Sequence, residues 1–168
     1  MSKDQQKTDM TPTEVVDRIW ELAAKIDICM FTTVEGKRAR ARPLSARVKR
    51  EEHRIFFLVD IDGAKLQQIE HDHDVTLAWA DNSAYKYVTI SGTASVSNDR
   101  ARIKELWEKT DKAWWDDEND PRIRLITVNP SEGELWDSPS KPVATAKMVA
   151  AALTGAKPDM GDNAKARL

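Results

Sequence analysis

The stretch IDICMFTTVEGKRARARPLSARV, residues 26–48, decides the fold. Its first nine residues are β-branched or otherwise almost wholly apolar, which is typical of a buried strand. Glu35 and Gly36 then supply a turn, so the strand enters a hairpin. The return strand, at about 37–48, alternates arginine with alanine and proline, as a strand with two different faces does. An antiparallel hairpin is therefore the starting unit.

The rest of the chain reads as short strands separated by helices. Further strands are predicted at 54–59, 75–80, 87–97, 124–128 and 133–136. Helices are predicted at about 12–25, 62–70, 98–107 and 140–155, with Asp62 and Asn98 as caps. Gly92, in the middle of a strand, indicates a bulge or a close approach of another backbone. Six or seven short strands with helices outside them predict a mainly β or α+β fold, an antiparallel β-barrel that is closed or partly closed.

The composition fits one domain. The 168 residues carry a net charge of −2 with 32% charged side chains, which excludes a generally basic nucleic-acid binder. No apolar run approaches the ~20 residues of a membrane span, and the N-terminus lacks the apolar region of a signal peptide, so we expect a cytoplasmic protein. We expect a disordered tail at 1–10, one domain at 11–155 and a flexible tail at 156–168.

Arg38, Arg40 and Arg42 form a cationic stripe on the return strand. Residues two apart lie ~6.6 Å from each other on one face, so these charges repel unless an anion or carboxylates meet them. Arg47 and Lys65 add positive charge nearby in the sequence. A phosphate monoester fits such a site, because guanidinium groups bind its oxygens bidentately. The alternative is an edge strand whose charges discourage aggregation.

Other reactive residue types give weaker signals. His71 and His73 in HDHD lack further ligands at recognised spacing, so a solvated helix end is favoured over a metal site. Cys29 lies in an apolar strand, where a buried thiol is inert, and as the only cysteine it excludes an intrachain disulfide. No nucleotide-binding glycine loop or serine nucleophile motif is present. We assign no catalytic residue and no metal ligand.

The tryptophans offer a flat apolar surface. Trp114, Trp115 and Trp136 fit either a core or dimer interface, where tryptophan is common, or a wall that stacks on a planar ring. A ring wall, a phosphate-sized cationic site and a β-barrel together favour flavin mononucleotide (FMN) as the ligand.

The order and spacing of several segments strengthen this interpretation. These segments are ARPLSARV, IFFLVDIDGAK, VTISGTASV, KELWEKTDKAWWDDENDPRIRLITVNP and GELWD. The chain resembles the pyridoxamine 5'-phosphate oxidase-related split-barrel flavoproteins over about 12–155, and within them the general stress protein 26-like branch. The resemblance implies a six-stranded split barrel with flanking helices, and a homodimer with FMN at two sites between the subunits.

The resemblance also assigns roles along the arginine-bearing strand. It implies that Arg42 contacts the phosphate and that the backbone of Pro43, Leu44 and Ser45 follows the edge of the isoalloxazine ring. Arg47 matches a second basic position of the oxidases.

Further positions follow from the family's T-x-x-x-S-x-K segment, which falls on Val59, Gly63 and Lys65. Lys65 keeps the cationic phosphate contact, whereas valine and glycine replace two side-chain hydroxyls. Trp136 matches a tryptophan that reaches the flavin from the partner subunit, and Tyr87 falls where the oxidases place a polar amide. Trp115 is a candidate wall of the ring site, and Arg40 a candidate second phosphate ligand.

The function implied is an FMN-dependent oxidoreductase whose flavin accepts hydride from NADH or NADPH and passes electrons to a small-molecule acceptor. The substrate-holding R-x-H arrangement of true pyridoxamine phosphate oxidases is not visible after Trp136, so that activity is disfavoured. One alternative is a non-catalytic stress protein that binds or buffers FMN or FAD. Another is a split barrel that binds a deazaflavin or no ligand.

Overall fold

The computed structural model describes residues 8–139, 141–155 and 161–168. Within them, eight strands form one antiparallel sheet: β1 Ile28–Glu35, β2 Arg38–Ser45, β3 Arg47–Lys49, β4 Arg54–Asp60, β5 Asp74–Asp81, β6 Lys86–Ser97, β7 Ile123–Asp137 and β8 Asp162–Arg167. The α-helices of this part of the chain are α1 Pro12–Ile26, α2 Ala64–His71, α3 Arg100–Leu106 and α4 Lys141–Thr154. No helix among the described residues is long and apolar enough to cross a membrane.

The order of strands explains the barrel. Hydrogen bonding runs β2-β1-β5-β6-β7-β4-β3, and β8 pairs with β7. The two ends of this order, β2 and β3, are separated in the chain only by Ala46, so one bent segment borders the sheet at both edges. β2 and β3 are the two halves of the predicted return strand, which with β1 and β4 to β7 makes six strands. The predicted split-barrel class of mainly β or α+β fold is confirmed.

The chain ends differ from the sequence expectation. The predicted tail at 156–168 contains β8, which pairs with β7 from Glu132↔Arg167 to Asp137↔Asp162. The tail prediction is therefore wrong for 162–167, while 156–160 lie outside the described residues. β8 escaped detection because its inward residues are small: Ala164 is fully buried, and alanine gives a weak hydrophobic pattern. At the other end, residues 1–7 lie outside the described residues, and Met10 packs against the core.

Helix α1 fills one side of the barrel. It starts with the predicted capping box, in which the Thr11 hydroxyl accepts from the Glu14 amide at 3.3 Å and the Thr11 amide donates to the Glu14 carboxylate at 2.7 Å. Its buried side chains pack on the inward residues of the sheet: Val15, Ile19, Trp20, Leu22 and Ala23. Burying this face stabilises the fold by ~25 cal/mol for each Å² of apolar surface that is removed from water.

Strand β4 is apolar on both faces because it separates two cores. Ile55, Phe57 and Val59 face the main core inside the barrel. Phe56 and Leu58 face a second core formed with residues of α3, the loop after it and β7: Ile103, Leu106, Trp115, Ile123 and Leu125. This explains the nearly continuous apolar run of the strand.

Local sequence signals were correct to within about one residue. The register of β6 and β7 shifts between Ser91 and Gly92, and a Cβ at Gly92 would collide with the backbone of Asn129, so the predicted bulge and close approach are confirmed. Two helix caps lie one position later than predicted. Gly63 rather than Asp62 precedes α2, and Asp99 rather than Asn98 caps α3.

Candidate functional site

Arg42 lies where strand β2 meets helix α2. It pairs in register with Phe31 of β1, so its side chain shares the inward face with that buried residue. One guanidinium nitrogen donates to the Thr33 hydroxyl and another to the side-chain oxygen of Gln68, each at 2.9 Å. The Thr33 hydroxyl in turn donates to the same Gln68 oxygen at 2.6 Å. Arg42 is thus fixed by neutral acceptors, and no carboxylate of the described residues forms an ion pair with it.

Lys65 brings a second cation to this position. Burial lowers the pKa of Lys65, and the charge of Arg42 lowers it further. Burial also lowers the pKa of Arg42, with a smaller contribution from Arg40. Neither Arg42 nor Lys65 has an ion-pair partner in the part of the chain that the structure describes. Glu35 raises the pKa of Arg42 and Asp60 raises that of Lys65, but burial outweighs these carboxylates and both pKa values are lowered. A bound anion would favour both charged forms.

The start of helix α2 adds backbone donors. Gly63 is the N-cap and supplies no side-chain hydrogen bond to the first turn. A Cβ at Gly63 would collide with the ammonium group of Lys65, so glycine permits the lysine to fold over the helix start. Exposed N–H groups and the positive end of the helix dipole favour an anion here. We call Arg42, Lys65 and the amides at this helix start the anion site.

Arg40, unlike Arg42, forms an ion pair with a carboxylate. Its guanidinium pairs with Glu35 at 2.7 Å, and the side-chain amide of Gln68 donates to the other Glu35 oxygen at 3.3 Å. The hydrogen bond from Arg40 is the largest factor that lowers the pKa of Glu35. β2 is an edge strand, and Arg38 and Arg40 are exposed on it as the aggregation-preventing alternative requires. The stripe therefore combines an exposed part with the half-buried Arg42.

The residues after Arg42 take three different environments. Pro43 faces outward and lies opposite Met30 of β1. Leu44 packs against the main core. The Ser45 hydroxyl donates to a carboxylate oxygen of Asp27 at 2.7 Å. All three lie on the edge strand that carries Arg42, beside the anion site.

Tyr87 and Trp136 are paired neighbours on β6 and β7 and are half-buried. Trp136 follows the fully buried Leu135 on β7. Because successive side chains of a strand point to opposite faces, Trp136 faces outward. Strand β7 is four strands from β2 along the sheet in one direction, and in the other direction it is separated from β3, which follows β2 in the chain, only by β4.

Three predicted residues lie inside the protein, where their contacts are with residues other than Arg42 and Lys65. Arg47 is buried and donates to Asp111 at 2.5 Å and to the Ser45 carbonyl at 3.0 Å. Trp115 fills the second core, and its indole nitrogen lies 3.4 Å from an Asp60 carboxylate oxygen. Val59 belongs to the main core. These placements give all three a packing or pairing role within the subunit.

The outward face of β1 carries apolar side chains that the subunit leaves exposed. Ile28, Met30 and Val34 are 51%, 42% and 36% exposed. β1 lies between β2 and β5, so this face is part of a broad sheet surface rather than an isolated edge. A cavity of about 470 Å³ opens on the same surface, with Thr32, Val34 and Thr76 in its walls. These exposed apolar side chains make the outward face of β1 a candidate interaction surface.

The remaining reactive groups have structural surroundings. Cys29 is buried, and burial raises the pKa of its thiol to about 12, with a contribution from Asp27. A thiol with this pKa is a poor nucleophile at neutral pH. Among the described residues, no group of three or more histidine, cysteine, aspartate or glutamate side chains is arranged to hold a metal ion.

The fold places the chain among the split-barrel proteins, and comparisons with known proteins assign the family. The family model described as pyridoxamine 5'-phosphate oxidase like matches residues 14–159. The chain belongs to this family. No curated protein matches it.

Solved structures share the fold at low sequence identity. A candidate general stress protein 26 from Jannaschia sp. CCS1 is 21% identical with a TM-score of 0.77, and the match covers 94% of this chain and 100% of that one. General stress protein 26 from Bacillus anthracis str. Sterne is 20% identical with a TM-score of 0.62, over 73% of this chain and 96% of that one. A general stress FMN/FAD binding protein from Xanthomonas citri is 21% identical with a TM-score of 0.66, over 74% and 89%.

Sequence reasoning did not identify Thr33 and Gln68, which hold Arg42. Thr33 sits in an apolar strand and is fully buried, and Gln68 follows Lys65 by three residues on α2. The helical spacing places Gln68 and Lys65 on neighbouring positions of one face, which was the available signal. The contact between Thr33 and Gln68 joins residues 35 apart and depends on tertiary packing.

Proposed function

We propose that this protein binds FMN through its phosphate at the anion site and acts as a flavin-dependent oxidoreductase. The observation that carries the proposal is the pair Arg42 and Lys65, two half-buried cations that form no ion pair among the described residues and whose pKa values burial lowers. A phosphate dianion meets both charges and the free amides at the start of α2. The description of the Xanthomonas citri structure as an FMN/FAD binding protein supports the same ligand class.

The flavin ring lies along β2 in this proposal, as the resemblance implies for the backbone that follows Arg42. Pro43 projects outward beside this strand, and the exposed Met30 lies opposite it on β1. We assign the apolar outward face of β1 to the homodimer interface. A second subunit there buries Ile28 and Val34, and the resemblance implies that it brings its own Trp136 near the ring.

The redox chemistry belongs to the cofactor: when bound, a flavin accepts hydride from a reduced nicotinamide and passes electrons to a small acceptor. The residues of this chain bind and orient. Arg42 and Lys65 hold the phosphate, and their positive charge favours an anionic ligand. The apolar interface excludes water from the ring. The proposal requires no side chain to act as acid or base.

Reconstitution tests the proposal in two stages. The protein is incubated with excess FMN, passed through gel filtration and examined by absorption spectroscopy and light scattering. Near one flavin per subunit, on a particle of twice the subunit mass, supports the FMN site and the homodimer. Anaerobic addition of NADH or NADPH then bleaches the visible flavin bands if the protein is an oxidoreductase. Bound flavin that no donor reduces supports the flavin-buffering alternative, and failure to bind FMN contradicts the proposal.

A further inference from the structure

A second cavity opens beside the anion site. Its volume is about 190 Å³, and it lies between the β1–β2 turn and one side of helix α2. The turn contributes Glu35 and Gly36, and the helix contributes Ala64, Gln67 and His71. Pockets that enclose a whole drug-sized ligand measure about 300–1,000 Å³. This cavity therefore fits one ring system of a ligand whose remainder lies outside it.

The cavity is continuous with the anion site. Gln68 lines the cavity, and its side-chain oxygen accepts the hydrogen bond from Arg42 at 2.9 Å. Its side-chain nitrogen donates to Glu35 on the opposite wall at 3.3 Å. Ala64 starts the helix whose next residue is Lys65, and it also lines the cavity. A ligand with a phosphate on Arg42 and Lys65 thus has its next atoms at the cavity mouth.

The lining suits a nucleoside. Ala64 provides apolar surface, and the imidazole of His71 offers an aromatic face of the kind on which bases stack. The side-chain amide of Gln67 both donates and accepts hydrogen bonds, as the edge of a purine requires. Glu35 accepts from Arg40 and from Gln68, and the remaining lone pairs of its carboxylate can accept from sugar hydroxyl groups.

We propose that this cavity takes the adenosine end of FAD, with the diphosphate of FAD on Arg42 and Lys65. The inference rests on the proposed function and narrows its cofactor. The FMN half of the molecule uses the anion site and β2, while the cavity adds contacts that FMN cannot make. The protein therefore binds FAD more tightly than FMN.

Equilibrium titrations of the full-length protein with FMN and with FAD test the proposal. We expect the dissociation constant for FAD to be at least tenfold lower. Gln67→Trp fills the cavity from an exposed helix position and should remove this preference, while the dissociation constant for FMN changes less than twofold. Glu70→Trp is the matched control, because Glu70 is exposed on the same helix and does not line the cavity. His71→Ala should reduce the preference without adding bulk.

The outcomes separate the cavity from the flavin site. Equal affinity of the wild-type protein for FMN and FAD overturns the proposal, and so does a preference that survives Gln67→Trp. If neither flavin binds, the proposed function itself fails. ADP then serves as the probe, since binding that Gln67→Trp abolishes still supports an adenosine site, and absence of binding overturns it. NADH carries the same adenosine diphosphate, so tighter binding of NADH than of FAD also contradicts the assignment.

Discussion

Arg42 of β2 donates a 2.9 Å hydrogen bond to the side-chain oxygen of Gln68 on α2, a neutral acceptor. Arginine in a half-buried position commonly takes a carboxylate, because desolvation of an unpaired guanidinium is costly. Here its protein partners are Gln68 and Thr33, which orient the group without neutralising it. The positive charge therefore remains available to a phosphate, and this availability is the basis of the proposed flavin site.

The affinity for FMN should fall as the pH rises into the alkaline range. Burial and Arg42 lower the pKa of Lys65 in the free protein, whereas a bound phosphate favours the ammonium form. As the pH rises, Lys65 of the free protein loses its proton at a lower pH than an ordinary lysine does. Binding of the phosphate must then restore that proton, so the dissociation constant rises with pH in this range. Isothermal titrations between about pH 7 and about pH 10 check this. Lys65→Arg keeps its charge and should abolish the rise; an equal rise in that variant would exclude Lys65 as its source.

Asp111 should be essential for stability although it lies away from the anion site. It accepts from the buried Arg47 at 2.5 Å and, through its other oxygen, from the Glu108 amide at 2.8 Å. Asp111→Ala leaves the buried guanidinium only the Ser45 carbonyl and the exposed Glu108 carboxylate at 4.0 Å, which should lower the free energy of unfolding by about 3–5 kcal/mol.

Urea denaturation measures this loss, and Asp17→Ala is the control. Asp17 pairs with Arg50 at the surface, where removing an ion pair costs about 1 kcal/mol or less. Equal losses in the two variants would contradict a structural role for the buried pair. Equal losses would favour the role that the resemblance implies for Arg47, a second basic residue at the phosphate.

Two adjacent tryptophans should respond differently to truncation. Trp115 is buried in the second core, and Trp115→Ala should lower the free energy of unfolding by about 3–5 kcal/mol. Trp114 is 76% exposed, and Trp114→Ala should change it by no more than about 0.5 kcal/mol. Thermal unfolding of both variants measures the difference. A stable Trp115→Ala variant with weakened flavin binding would instead make Trp115 a wall of the ring site.

Trp136 should affect flavin binding through the dimer. It is half-buried on the outward face, so Trp136→Ala should weaken FMN binding while the subunit stays folded. Flavin retention after gel filtration, together with circular dichroism, checks both parts. A loss of folding with unchanged flavin affinity per folded subunit would assign Trp136 to packing within one subunit.

Periodicity predicted most of the fold because the barrel strands and α1 each bury one regular face. The hairpin at residues 26–48 and the bulge at Gly92 follow from local backbone and side-chain preferences. β8 was missed because its residues are polar or small and show no strand pattern of their own. They form a strand by pairing with β7. The long β7 was divided into two predicted strands because Asn129 and Pro130 resemble a turn, yet both pair with β6 and the bulge follows them, at Ser131 of β7.

The sequence identified the cationic residues of the site but not which of them are paired with a carboxylate. Arg40, Arg42 and Arg47 look alike along one strand, and each takes a different partner: Glu35, Gln68 and Asp111 respectively. Those partners are between 5 and 64 residues away in the chain. Local patterns carry no information on such tertiary pairing, which decides whether a cation remains available to a ligand.

Titration of FMN into the wild-type protein and into Arg42→Ala tests the central claim most directly. Arg38→Ala is the matched control, because Arg38 is an exposed arginine on the same strand and outside the anion site. The account predicts one FMN per subunit, a loss of at least tenfold in affinity for Arg42→Ala, or about 1.4 kcal/mol, and a change of less than twofold for Arg38→Ala. Unchanged affinity in a folded Arg42→Ala protein would contradict the phosphate assignment.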